Sequence, residues 1–182
     1  MPSDLLAYRP ELELNATGKF DGRADADLAT LGFAAEALEL RSAAALDRLI
    51  ERMAAQGGMA PQVLRGTLPG RALRSQLRRA ALAVLPLPGQ SSAALAALKT
   101  RAARILGLEL EGLSPEDKEF EVAQQFVRFA QDAIRRTAAA PGAAQAALVQ
   151  AARHHAPGLL RHGVPQHGRW LRAGQRLIVL DC

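Results

Sequence analysis

A single cysteine, Cys182, stands at the last position of the 182-residue chain, so no internal disulfide can staple the fold. Aromatic residues number only seven, and none lies between Phe33 and Phe120. That gap leaves the middle of the chain without stacking platforms for nucleic-acid bases, and without anchors for a membrane interface. Val and Ile together number eleven, too few β-branched side chains for an extensive sheet. Long apolar runs are missing too. The longest charge-free stretch, Ala80 to Leu98, is interrupted by Pro86, Pro88, Gly89, Gln90, Ser91 and Ser92, so it reads as two helices and a turn. Met1 to Pro10 has neither the basic start nor the apolar core of a secretory signal, which makes the cytoplasm the default expectation. Phosphate-binding and nucleophile motifs are also absent. "GTLPGR" lacks the Gly-Lys-Ser/Thr ending of a P-loop, and no G-x-G-x-x-G or G-x-S-x-G occurs.

What the chain does have is alanine and leucine. These supply 38 and 29 of its 89 apolar residues. Both favour helix, so the expected fold class is all-α: a small bundle of about six helices closed by a short C-terminal β-hairpin. The expected organisation is a flexible N-terminal arm over 1–24, a helical domain over 25–160, and a loop with the terminal hairpin over 161–182.

Local signals place the elements. A first helix is expected from Asp25 to Leu40, burying Leu28, Leu31, Ala35 and Leu38. Ser42 reads as the N-cap of a second helix with Leu46, Leu49, Ile50 and Met53 in one stripe. Gly57 to Gly70 holds two Pro and four Gly and reads as a break. Arg71 to Leu85 reads as a basic helix. Leu73, Leu77, Ala80 and Val84 share one side, and Arg71, Arg74, Arg78 and Arg79 the other, with Leu82 and Leu85 straying among the arginines. Ser92 to Leu106 is the next helix, ending at Gly107.

The clearest element begins at Ser114. Ser114 caps, Pro115 takes the first helical position, and Glu116 and Asp117 sit beside the exposed N–H groups of the first turn. From Phe120 onward, Val122, Ala123, Phe126, Val127, Phe129, Ala130, Ala133 and Ile134 fall in one half of the helical wheel. This is the expected central core helix. Ala143 to His155 follows, stopped by Pro157-Gly158. In "GRWLRAGQRLIVL" the apolar period then shifts towards strand around an Ala173-Gly174 turn.

Charge is arranged in blocks. Residues 1–51 hold ten acids and five bases, and 52–104 hold nine bases and no acid. Residues 105–132 hold seven acids and two bases, and 133–182 seven bases and one acid. Two arrangements follow from this alternation. Either the acidic and basic helices neutralise one another inside the bundle, or the 52–104 block faces an anionic partner outside it. The matching excesses of acid and base favour the first.

"GLELEGLSPEDKEFEVAQQFVRFA", "AARHHAPGLL" and "GRWLRAGQRLIVL" resemble an uncharacterised family of bacterial proteins. Its members carry the same acidic helix motif and a terminal W-x-R-x-G-x-x-I-x-L hairpin. "EALELRSAAALDRLIERM" is similar to that family's N-terminal helix pair. The matching segments keep the family's order. Between the helix pair and the acidic helix, the family has a long Gly- and Ala-rich segment where this chain has the Arg-rich 59–106 block. The family has no established activity, so the resemblance implies the architecture and carries no catalytic residue across.

Chemistry finds few footholds. His154, His155, His162 and His167 lie within fourteen residues, but no cysteine is near and no acid occurs between Asp132 and Asp181. Histidines at a helix end and in a polar loop explain them better than a zinc or nickel site. The carboxylates of "LEGLSPEDKEFE" complement a helix N-terminus. No catalytic residue, cofactor or metal is therefore expected, and no small-molecule substrate is evident. The sequence points to a non-enzymatic helical interaction or assembly protein, with protein as the expected partner, including self-association. The alternative is a membrane-active or anionic-surface protein, binding lipid or nucleic acid through the 71–85 helix. In both readings Arg71, Arg74, Arg78 and Arg79 are the candidate partner- or anion-binding residues.

Overall fold

A computed structural model describes residues 22–86, 92–161, 170–173 and 176–179. Among these residues the chain is mostly helical. Eight α-helices run in the order α1 (Gly22–Leu38), α2 (Ala43–Gln56), α3 (Pro61–Gly66), α4 (Leu68–Val84), α5 (Ser92–Leu106), α6 (Pro115–Ala139), α7 (Ala144–His155) and α8 (Pro157–Arg161), with a 3-10 turn at Pro141–Ala143.

α6 is the axis of the bundle. The Ser114 hydroxyl accepts from the Asp117 amide at 3.1 Å and fixes the helix start. α1, α2, α4, α5 and α7 all pack against α6. Phe126, Val127, Ala130, Ala133 and Ile134 are completely buried, and Leu46, Leu49, Ile50 and Met53 of α2 join them from one side. Leu73, Leu77 and Val84 of α4 close the same core. Ser42 caps α2 through the Ala45 amide at 3.1 Å, as its place before "AAALDRLI" predicts.

Four features depart from the sequence reading. First, α1 starts at Gly22, three residues early, and buries a different stripe. Thr30, Ala34 and Ala37 face the core, while Leu28, Leu31 and Ala35 are exposed and Leu38 is half-buried. Small residues let α1 approach α6 closely, and the Thr30 hydroxyl, shared between Ala26 O at 2.8 Å and Gln131 Oε1 at 2.9 Å, ties the two helices together.

Second, the expected break over 57–70 is largely helical. Pro61 and Pro69 sit in the first turns of α3 and α4, where a missing N–H costs nothing. Gly70 lies inside α4 because α3 crosses there. A Cβ at this position would come within 2.7 Å of Leu64 Cα.

Third, α4 begins at Leu68 instead of Arg71 and ends at Val84. Leu85 leaves the helix in an extended conformation, φ −94° and ψ 140°, and is buried rather than placed among the arginines.

Fourth, Pro157-Gly158 does not end helicity. Pro157 opens α8, which packs on α5 and α7.

Most of the expected arm over 1–24, and His162, His167 and Cys182, lie outside the described residues. No helix among the described residues is long and apolar enough to cross a membrane.

Candidate interaction surface

The four candidate arginines separate by direction. Arg74 and Arg78, one turn apart on α4, face Asp47 and Glu51, one turn apart on α2. Arg74 Nη2 lies 3.1 Å from Asp47 Oδ2 and 4.0 Å from Glu51 Oε1, and Arg78 Nη1 lies 3.5 Å from Asp47 Oδ2. Arg65 of α3 completes this seam by gripping Glu51 with two parallel bonds, Nε to Oε1 at 2.8 Å and Nη2 to Oε2 at 2.5 Å. The bidentate fork is the strongest geometry open to an arginine and a carboxylate. The Arg65 hydrogen bonds hold the Glu51 carboxyl below its usual range, with the nearby Arg74 charge acting in the same sense.

Further ion pairs repeat the pattern. Arg52 of α2 pairs with Glu36 of α1. Lys99 of α5 meets Glu119 of α6 at 2.7 Å. Within the 52–104 block, Arg52, Arg65, Arg74, Arg78 and Lys99 all pair with carboxylates from the two acidic blocks. Glu109 and Glu111, in the second acidic block, form no ion pair with the 52–104 block among the described residues.

Arg71 and Arg79 behave differently. Both are exposed, and neither has an acid partner among the described residues. On the helical wheel they flank Ser75, and between them the same outward arc carries Leu68 and Leu82, 76% and 41% exposed. α1 presents the opposite character. Leu28, 66% exposed, Leu31, 38% exposed, and Ala35 form an outward stripe. Asp25, Asp27 and Glu39, all exposed and without a basic partner among the described residues, rim it.

The histidine segment divides. His154 and His155 sit in the last turn of α7, where cationic side chains complement the helix terminus. His155 Nε2 lies 3.6 Å from Oδ2 of Asp132, which also accepts from Arg136 Nε at 2.8 Å. Burial pushes the His155 pKa down, against the opposing pull of Asp132. Gln125 Nε2 donates to His155 O at 3.0 Å, so a side chain of α6 satisfies the end of α7. Among the described residues no group of three or more His, Cys, Asp or Glu is arranged to hold a metal ion.

Sequence reading missed Asp47, Glu51 and Arg65. One signal was available: Asp47/Glu51 and Arg74/Arg78 are both spaced by four, so each pair projects from one face of its helix and the two rows can mesh. Arg65 gave no signal, because its segment reads as a break. Comparison with known proteins adds nothing to this geometry: no protein-family model matches the chain, and neither a curated protein nor a solved structure matches it.

Proposed function

We propose that this chain is a non-enzymatic helical interaction or assembly protein whose partners are proteins, including copies of itself. The observation that carries the reading is the pair of outward faces. Leucines open to solvent on α1 and on α4 are rimmed by acids on and just after the first helix and by arginines on the second, none of them in an ion pair among the described residues. Single exposed leucines are ordinary on any surface. Apolar stripes edged by charge of one sign fit partner recognition, because the charges orient the encounter and the leucines supply the burial. The largely shielded carboxylates Asp47, Glu51 and Asp132 are each held by arginine, which supports a structural role for them. A short terminal hairpin over Trp170–Ala173 and Arg176–Val179, and kinship with the bacterial family of the acidic helix motif, belong to the same proposal.

A second reading is favoured by one observation. Arg71 and Arg79, without an acid partner among the described residues, stand beside Leu68 and Leu82, which makes the outer face of α4 a basic amphipathic surface suited to anionic lipid or nucleic acid. One variant with Arg71, Arg74, Arg78 and Arg79 all changed to Gln separates the two. Under the first reading the wild-type protein binds neither anionic vesicles nor DNA at physiological salt, and the variant melts earlier because Arg74 and Arg78 no longer meet Asp47. Strong vesicle or DNA binding that vanishes in the variant, with the melt unchanged, would replace the first reading with the second.

A further inference from the structure

We infer that the outward face of α1 takes the outward face of α4 on a second copy of this chain. The inference rests on the interaction-protein reading and names its partner. Among the described residues neither face is covered: Leu28 and Leu31 on α1, and Leu68 and Leu82 on α4, are all exposed. Their charges are complementary. The α1 stripe is edged by Asp25, Asp27 and Glu39, and the α4 stripe by Arg71 and Arg79, with Arg78 only partly engaged by Asp47. Two α1 faces would set acids against acids, and two α4 faces arginines against arginines. Like with like is disfavoured on either side; α1 against α4 is the pairing in which both charge rims attract.

The shapes agree with the charges. Leu68 and Leu82 are fourteen residues apart on α4, roughly 21 Å along the axis at 1.5 Å per residue. Between them the outward side chains are Ala72, Ser75 and the arginines. Leu28 and Leu31 are separated by about 4.5 Å on α1, which places them over the small Ala72 and Ser75 with the α4 leucines closing each end. Gly32, on the same α1 face, has no atom near the position a Cβ would take, so a partner can come close there. A single helix-on-helix contact buries less than the 1,200–2,000 Å² typical of stable complexes, so the association is weak and salt-sensitive. Because the two faces differ, the contact is either made twice in a closed two-fold pair, or runs head to tail into a ring or an open row.

Sedimentation velocity on the full chain, from about 10 µM to about 1 mM in low and high salt, tests this inference. The expected result is concentration-dependent association, on the order of tenfold weaker in high salt. Leu28→Gln with Leu31→Gln on one face, and Arg71→Gln with Arg79→Gln on the other, should each reduce association by about tenfold or more. Every substituted side chain is exposed, and Asp25→Asn with Asp27→Asn serves as a second α1 variant should the leucine variant fold poorly. The deciding measurement is the mixture. An α1-face variant and an α4-face variant, each monomeric alone, should form a 1:1 dimer that grows no further, because only one intact pair of faces remains.

A chain that stays monomeric at every concentration overturns the inference, as does a mixture that stays monomeric when the wild type associates. Association lost in only one of the two variants overturns it as well. Vesicles of phosphatidylcholine with about a third phosphatidylserine are run alongside. A monomer that binds them at physiological salt, and loses binding in the arginine variant, overturns the interaction reading too. A monomer that ignores them overturns only the choice of partner.

Discussion

α6 and α1 lie against each other, yet they meet with different materials. α6 offers Phe126, Val127, Phe129 and Ile134 to the core, all buried, whereas α1 answers with Thr30, Ala34 and Ala37 and turns Leu28 and Leu31 outward. A fully buried phenylalanine is worth up to about 3 kcal/mol, and an alanine methyl about 0.8 kcal/mol. α6 therefore holds the bundle by volume. α1 holds on by proximity, with Phe33 and Leu38 at the edge of the core and Leu28 and Leu31 left for a different surface. Two helices in contact can thus serve opposite ends, and the placing of their large apolar residues shows which.

The contrast can be broken most sharply at its strong end. Phe126→Ala empties a completely buried site and should cost about 3–5 kcal/mol, enough to unfold a marginal domain. Leu28→Ala should stay within about 0.5 kcal/mol. Circular-dichroism melts of the two variants would contradict the assignment if they moved together.

Neighbouring alanines on α1 sharpen the comparison further. Ala34 is completely buried and Ala35 exposed. Ala34→Leu should therefore overpack the α1–α6 contact and cost about 1–3 kcal/mol, while Ala35→Leu should be nearly silent. Equal costs in urea titration would mean that α1 is rotated from the orientation described.

The arginines offer a smaller effect. Arg74→Gln with Arg78→Gln removes both partners of Asp47 and should cost about 0.2–1 kcal/mol per pair, less in high salt. Arg71→Gln with Arg79→Gln should leave the urea midpoint where it was. A larger loss from the second pair would show that the outward arginines have an acid partner within the fold.

The smallest effect is a pH dependence at the α6–α7 contact. His155 has a folded pKa below its ordinary value of 6.5, chiefly through burial, so the unfolded chain binds its proton more readily. Its contribution is complete above about pH 6.5 and is lost as pH falls from there towards the lowered folded value. Glu51, also lowered, acts in a separate window: its contribution is lost only as pH falls below about 4.5. Urea midpoints at pH 7.5 and 5.5 should fall slightly in the wild type and less in His155→Gln. Identical slopes in both proteins would remove His155 as the cause.

The same contrast explains what the sequence could tell. α6 was legible to its cap because glutamines, arginines and acids mark one half of its wheel and leave the other to apolar side chains. α1 was legible as a helix, but its orientation was not. Alanine, glycine and leucine occur around its circumference, and only tertiary contact chooses among them. The 57–70 segment misled for a different reason. Its prolines start helices and Gly70 admits a crossing helix, so residues that interrupt structure when read locally turn out to serve a long-range contact. In the candidate site, the spacing of Arg74 and Arg78 was readable. Their separation from Arg71 and Arg79 needed the position of α2.

The hydrogen bond between Thr30 and Gln131 joins residues 101 apart in sequence. Closing a loop of that length costs about 2 kcal/mol more entropy than closing one of about ten residues. α6 and α7, joined by a short 3-10 turn, face no such penalty. That penalty predicts that α1 docks late in folding and detaches from the native protein by an opening smaller than global unfolding. Its amides should exchange with deuterium ahead of those of α6. Any partner that settles on Leu28 and Leu31 would slow that exchange, so the clock for occupancy is built into the helix that carries the face.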